Sequence, residues 1–157
     1  MDKNILIIDD EQNLTYFLKE SFKKDGYLVQ AANTLSEGRD LIKTQLPDLL
    51  ILDLNLPDGH GLEFYQELKE KFDFIPTVVI TAHSSIQSAI DAMKMGVDDY
   101  IAKPFDIKEL SVLIGSLFKR YHLKNQLNYY RRKAQCSQDF DFLSVKYRQC
   151  RNCSKWQ

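Results

Sequence analysis

The spacing of apolar and polar positions changes from strand-like to helix-like five times along the chain. Asn4-Ile5-Leu6-Ile7-Ile8 is a continuous apolar, β-branched run that stops at Asp9-Asp10-Glu11. Such a short run bounded by polar residues predicts a buried strand. Leu14, Phe17, Leu18, Ser21 and Phe22 then recur at helical spacing until Asp25-Gly26 ends the pattern. Tyr27–Ala31 predicts a second strand. A helix carrying Leu35, Leu41 and Ile42 follows, with Thr34 or Ser36 as its cap, and it breaks at Gln45-Leu46-Pro47. Leu49-Leu50-Ile51-Leu52 is a third buried strand that ends on Asp53 and a turn-forming Pro/Gly segment. Leu62, Phe64, Tyr65 and Leu68 mark a third helix, and Thr77-Val78-Val79-Ile80 a fourth strand ending at Thr81-Ala82. Ser84 or Ser85 can cap a helix carrying Ile86, Ala89, Ile90 and Met93, closed by Gly96. Val97–Ala102 is a fifth strand, polar enough for a sheet edge, and Asp106 can cap a last helix from Ile107.

Five strand–helix repeats in strict alternation predict an α/β fold with a doubly wound parallel sheet. Parallel strands bring their carboxyl ends to one edge, where open α/β sheets hold their ligands. That edge collects Asp9 and Asp10 from strand one, Asp53 with Asn55 just beyond from strand three, Thr81 from strand four and Lys103 from strand five.

Three carboxylates in close proximity repel one another unless a cation enters. Hard oxygen donors with open positions suit Mg²⁺. A carboxylate flanked by such a metal and an ammonium is placed for phosphoryl transfer, with Asp53 as nucleophile, Lys103 neutralising phosphoryl charge and Thr81 as a hydroxyl donor. Each residue alone has a plainer role: Asp9-Asp10 as a helix cap, Thr81 as a strand-end hydroxyl, Lys103 as a surface lysine, Tyr100 as a half-buried aromatic. Their combination favours the site.

With these pieces in place, the chain resembles the receiver domain of two-component response regulators over roughly residues 3–120. The matching segments are Asp9-Asp10, Asp53 with its Pro57 and Gly61 loop, Thr81-Ala82, Tyr100 and Lys103-Pro104-Phe105. The resemblance implies a flavodoxin-like strand order of 2-1-3-4-5 and phosphorylation of Asp53 by the phosphohistidine of a sensor histidine kinase. It implies Mg²⁺ held by Asp10, Asp53 and the Asn55 carbonyl, with Asp9 assisting, a cis Lys103-Pro104 bond, and Tyr100 as an aromatic switch. The expected output is a change of partner or of dimerisation through the face of the fourth helix, fifth strand and fifth helix, in transcription regulation, and not catalytic turnover. The stretch Thr81–Tyr100 is similar to receivers of sigma-54-dependent, nitrogen-regulator-like activators. The ATPase domain of those activators needs a Gly-x-x-x-x-Gly-Lys-Ser/Thr loop, and this sequence contains none.

Two other readings remain in view. One is a constitutive interaction module with a vestigial pocket, against which the intact Asp, Thr and Lys set speaks. The other is a haloacid-dehalogenase-type phosphohydrolase, which needs a second Asp two residues after its nucleophile, where this chain has Asn55. His60 and His83 flank the site. Both fit exposed loop histidines, and His83 is also a candidate for controlling water access to an acyl phosphate.

Composition divides the chain again. The 157 residues are 44% hydrophobic with a net charge of −1. Residues 1–118 carry 11 basic and 20 acidic residues, net −9, and residues 119–157 carry 10 basic and 2 acidic, net +8. The expected organisation is a receiver over 1–120, a helix extension over 121–135 and a basic tail over 136–157. The last helix keeps apolar residues at helical spacing through Tyr130, so it can reach about Lys133 and serve as a second dimerisation element. Cys136, Cys150 and Cys153 lie in the tail and fit free thiols better than a zinc site, which would have to recruit His122 at irregular spacing. The tail has no DNA-reading motif and fits a remnant of an output domain. No apolar run is long enough to span a bilayer, and the start lacks a signal-peptide pattern, so a cytoplasmic protein is expected.

Overall fold

In a computed structural model the described residues are 3–72, 75–82 and 84–127. The first compact unit, Met1–Leu117, contains a five-stranded parallel sheet. Its strands are β1 (Asn4–Ile8), β2 (Leu28–Ala32), β3 (Leu49–Leu52), β6 (Thr77–Thr81) and β7 (Asp99–Ala102), and a two-stranded ribbon, β4 (Asn55–Leu56) with β5 (Gly59–His60), follows β3. The order is β2-β1-β3-β6-β7, which is 2-1-3-4-5 when the sheet's own strands are counted. This is the flavodoxin-like order that the resemblance implied.

Burial explains the apolar runs. Strands β1, β3 and β6 are covered on both faces, so every residue in them is buried. Leu6, Ile8, Leu50, Leu52 and Val79 point to one face and join Leu35, Ile42, Phe64, Tyr65, Leu68 and Ala92 in a single core. Those partners come from α2 (Leu35–Thr44), α3 (Gly61–Lys71) and α4 (Ile86–Met95). The alternate residues Ile5, Ile7, Leu49, Ile51, Val78 and Ile80 are buried on the opposite face. Leu18 and Phe22 of α1 (Gln12–Lys24), and Leu110, Ile114 and Leu117 of the helix α5 that begins at residue 107, supply the buried stripes for that side.

The edge strands differ from expectation in detail. Strand β2 begins at Leu28, and Leu28 is half exposed because this strand lies on the outer edge. Strand β7 begins at Asp99, two residues later than its apolar pattern, because Asp98 turns its side chain to another strand's end. The Asp98 carboxylate accepts from Thr77 N at 2.9 Å, while Asp98 N donates to Thr77 O at 2.8 Å. Asp48 does the same before β3: its carboxylate accepts from Asn4 N at 2.8 Å and its own N–H donates to Asn4 O at 2.8 Å. Each carboxylate satisfies an amide at the amino end of the neighbouring strand.

The helix starts follow local chemistry. Thr34 Oγ1 accepts from Glu37 N, Ser85 and Ser88 form a capping box, and Asp106 Oδ1 accepts from Lys108 N. Helix α1 has no side-chain cap at Glu11. The apolar stripe of α4 faces outward: Ile86 is 84% exposed and Met93 51%, and Ala92 is the buried residue of this helix.

The second unit is described over residues 118–127, which are helical. The expected extension to Lys133, the tail over 136–157 with its three cysteines, and His83 lie outside the described residues. Among the described residues, no helix is long and apolar enough to cross a membrane.

Candidate functional site

Asp9, Asp53, Thr81 and Lys103 sit at or one position past a strand end, with Asp10 one residue beyond Asp9, and the sheet ladder still holds three of them. Asp9 N donates to Ala32 O at 3.1 Å, Asp53 N to Ile8 O at 2.9 Å and Lys103 N to Thr81 O at 2.9 Å. The backbone of these three side chains is therefore as fixed as the strands themselves. Thr81 is the last residue of β6 and is fully buried. Lys103 precedes Pro104 through a cis peptide bond, as the resemblance implied.

The side chains converge. Asp9 and Asp53 are buried and Asp10 is exposed, and one carboxylate oxygen from each lies within 4.8 Å of the others. The Lys103 ammonium is 2.7 Å from Asp9 Oδ2 and 3.2 Å from Asp53 Oδ2. It also reaches Glu11 Oε2 at 3.3 Å. Glu11 was not among the expected site residues. Its position at the start of α1, directly after the Asp pair, turns it toward the same edge, and that adjacency was the signal in the sequence.

Local hydrogen bonds aim the carboxylates. Asp9 Oδ1 accepts from Glu11 N at 2.8 Å, and Asp53 Oδ1 accepts from Asn55 N at 3.2 Å. Each leaves its second oxygen to the lysine. The loop after Asp53 folds back on it: Gly61 N donates to Leu54 O at 2.8 Å, and a Cβ on residue 61 would collide with the Asp53 carbonyl. Asn55 pairs with His60 across the small ribbon. His60 caps α3, its Nδ1 accepting from Leu62 N at 3.3 Å, so it turns away from chemistry and into the helix start. Asp58 reaches the start of α2, accepting from Leu35 N and Ser36 N at 2.9 Å each.

The electrostatics match a cation-binding anionic pocket. Burial raises the Asp9 carboxyl above its ordinary range, against the pull of Lys103 and the Glu11 amide. Burial alone would depress Lys103, but Asp9 and Asp53 together outweigh it and raise its pKa. One ammonium among the carboxylates of Asp9, Asp10, Glu11 and Asp53 leaves an excess of negative charge. The donor set fits a hard divalent cation: three carboxylates, each with an oxygen within 4.8 Å of the others, are the oxygen ligands that Mg²⁺ takes.

Comparison with known proteins gives the family and the fold. The family model for the response regulator receiver domain matches residues 5–114. The chain is 41% identical over 118 residues to the KDP operon transcriptional regulatory protein KdpE of Escherichia coli, covering 75% of this chain and 52% of that protein. It is 30% identical over 125 residues to the DNA-binding transcriptional regulator NtrC of Proteus hauseri, covering 80% of this chain and 26% of that protein. The chain thus spans about half of the first relative and a quarter of the second. Among solved structures, the non-phosphorylated HemR receiver domain from Leptospira biflexa aligns with a TM-score of 0.70 at 32% identity, over 73% of this chain and 93% of that one. A CheY-like receiver domain protein from Methanospirillum hungatei aligns with a TM-score of 0.75 at 26% identity, over 79% and 99%.

Proposed function

The chain belongs to the response regulator receiver domain family, and from that membership we propose that Asp53 is its phosphoryl acceptor, with Lys103 and Thr81 completing the reacting site. As a receiver of two-component systems it acts in phosphorelay signalling. The observation that carries the residue assignment is the Lys103 ammonium 3.2 Å from Asp53 Oδ2, inside a cluster of carboxylate oxygens within 4.8 Å of one another.

In the proposed reaction a carboxylate oxygen of Asp53 attacks phosphorus on the phosphohistidine of a sensor kinase. The phosphorus–nitrogen bond breaks, its electron pair stays on the imidazole, and an acyl phosphate forms on Asp53. Lys103 holds one phosphoryl oxygen by charge, and the Thr81 hydroxyl donates to another. Asp10, Asp53 and the Asn55 carbonyl would hold Mg²⁺, with Asp9 assisting. Bound there, Mg²⁺ neutralises charge on the phosphoryl oxygens. The protein's chemistry is then its own modification and demodification, and its output is a changed surface.

That surface is the face of α4, β7 and α5. Ile86, Ile90 and Met93 of α4 and Val112 of α5 are exposed on this unit. The proposal is that Thr81 and Tyr100 move inward on phosphorylation and repack this face for homodimerisation or an output partner in transcription regulation. The extended last helix is a second candidate for the dimer contact. Shifting such a switch from 1:99 to 99:1 takes about 5.5 kcal/mol of differential stabilisation. The receiver is proposed to span 1–120, with 121–135 as extension and 136–157 as tail, in a cytoplasmic protein that does not itself contact nucleic acid through these residues.

Incubation with Mg²⁺ and a small acyl phosphate donor, followed by intact mass, tests the assignment. Gain of one phosphoryl group in the wild type and none in Asp53→Ala supports it. A folded wild type that gains nothing supports a constitutive module instead, and repeated turnover of a phosphomonoester supports a phosphohydrolase.

A further inference from the structure

The Lys103 ammonium carries three N–H donors, and three carboxylates claim them. Asp9 Oδ2 lies at 2.7 Å, Asp53 Oδ2 at 3.2 Å and Glu11 Oε2 at 3.3 Å. The surroundings of these partners differ. The side chains of Asp9 and Asp53 are 4% and 7% exposed, whereas that of Glu11 is 58% exposed. A phosphoryl donor comes from solvent, and Glu11 is the partner of Lys103 that solvent reaches.

The start of α1 sets Glu11 in this place. Glu11 occupies the N-cap position, yet its side chain accepts no hydrogen bond from the helix start. A capping side chain ordinarily bonds an amide of the first turn; this carboxylate is turned instead to Lys103, 92 residues away in sequence. The backbone of Glu11 is committed separately. Its amide donates to Asp9 Oδ1 at 2.8 Å, and its carbonyl accepts from Thr15 N at 3.0 Å and from Thr15 Oγ1 at 3.3 Å. The main chain stays fixed whether or not the carboxylate holds the lysine.

The phosphoryl transfer described above asks Lys103 for a donor to a phosphoryl oxygen. As the phosphoryl group approaches, Asp53 is still a carboxylate. Without the lysine, Asp53 or Asp9 would be left buried and unpaired, which is strongly unfavourable. Glu11 releases its contact into water with little loss. The N–H held by Glu11 is therefore the one that an incoming oxygen takes over.

We propose that Glu11 is a positioning residue that acts through Lys103: its carboxylate competes with the incoming phosphoryl group for the ammonium and so sets how tightly an anionic donor is held. This rests on the receiver reading above. Competitor and donor are anions on the same ammonium, so the effect falls on donor binding. Once a phosphoryl oxygen has replaced Glu11, the attacking carboxylate and the lysine are the same with or without it, and the transfer step is unchanged.

The test uses the full chain as wild type, Glu11→Gln, Glu11→Asp and Asp53→Ala, with Mg²⁺ held at saturation for each. Initial rates of phosphoryl incorporation are read by intact mass over a range of acetyl phosphate concentrations, with inorganic phosphate as a non-transferring competitor. Glu11→Gln is expected to lower the half-saturating donor concentration and the inhibitory phosphate concentration about threefold each, at an unchanged maximal rate. Glu11→Asp keeps the charge but is one methylene shorter, so its carboxylate falls short of Lys103 and it is expected to follow Glu11→Gln. Under a general repulsion of anions it would instead keep the wild-type values. Half-saturation unchanged or raised in Glu11→Gln, a shift confined to the maximal rate, or Glu11→Asp at the wild-type values overturns the proposal. Wild type that incorporates nothing removes the receiver reading together with this role. Normal incorporation that is absent in Asp53→Ala and unchanged in both Glu11 variants removes the role of Glu11 alone.

Discussion

Lys103 lies closer to Asp9 than to Asp53, at 2.7 Å against 3.2 Å. The ammonium is shared between the carboxylate assigned to assist the metal and the one assigned to accept phosphate. Its side chain is 12% exposed and that of Asp9 only 4%, so the pair is shielded from solvent. Removing the lysine leaves buried carboxylates facing one another. Lys103→Ala is expected to lose about 3 kcal/mol of stability without divalent cations. Added Mg²⁺ is expected to stabilise this variant more than the wild type. Urea unfolding with Mg²⁺ and with chelator measures both, and a variant insensitive to the metal would contradict the shared-charge account.

Two glycines are expected to respond oppositely to the same change. Gly61→Ala drives a Cβ into the Asp53 carbonyl, a backbone atom that cannot move without disturbing the acceptor. It should cost about 3 kcal/mol and slow phosphorylation. Gly115 lies within α5, and a Cβ there meets nothing within 4 Å. Gly115→Ala should stabilise by roughly 0.5–1 kcal/mol. Thermal unfolding of both variants decides, and a neutral Gly61→Ala would refute the close approach.

Asp58 joins the loop after the acceptor to the start of α2. The Leu35 and Ser36 amides hold its carboxyl below the ordinary carboxylate range. A depressed carboxylate contributes stability that is present above its unfolded pKa and is lost as pH falls through the folded one. Asp58→Ala is therefore expected to melt below the wild type at neutral pH, with the gap closing in strong acid. A gap that stays constant into acid would rule out this cap as the cause.

Tyr65 produces the opposite limb. Burial first, and then the charge of Asp98, raise its pKa above 10.0. A raised tyrosine gives stability that is complete below the unfolded pKa and is lost as pH rises through the folded one. Tyr65→Phe removes the bond to Gly96 O and should cost about 1 kcal/mol near neutrality. Stability curves of the two proteins should approach one another above pH 10, and parallel alkaline curves would argue against the assignment.

What the sequence revealed, and what it concealed, follows from distance along the chain. The strand ends were legible because each charged residue directly follows its own strand-like run, so Asp9, Asp53 and Lys103 declared their place through local pattern. The Ser85, Thr34 and Asp106 caps were legible for the same reason. The Glu11–Lys103 contact spans 92 residues, and Asp58 caps a helix that begins 23 residues before it. Neither leaves a periodic trace. The α4 stripe misleads in another way: Ile86, Ile90 and Met93 have helical spacing, but spacing does not say whether a stripe meets the sheet or solvent. Strand β2 also reads as a largely apolar run, and its place at the edge exposes Leu28.

Asp48 ends this strand system at the side away from the chemistry, accepting from Asn4 N just before β3 begins. It stands five residues ahead of Asp53 on the same extended segment, about 16 Å away at the rise of a strand. Sliding β3 by one residue against β1 would separate Asp48 from Asn4 and carry Asp53 about 3.3 Å along its axis, out of register with Asp9. The remote carboxylate thus works as the zero mark of a ruler whose other end is the proposed phosphoryl acceptor, and a substitution there would be felt as a misplaced Asp53.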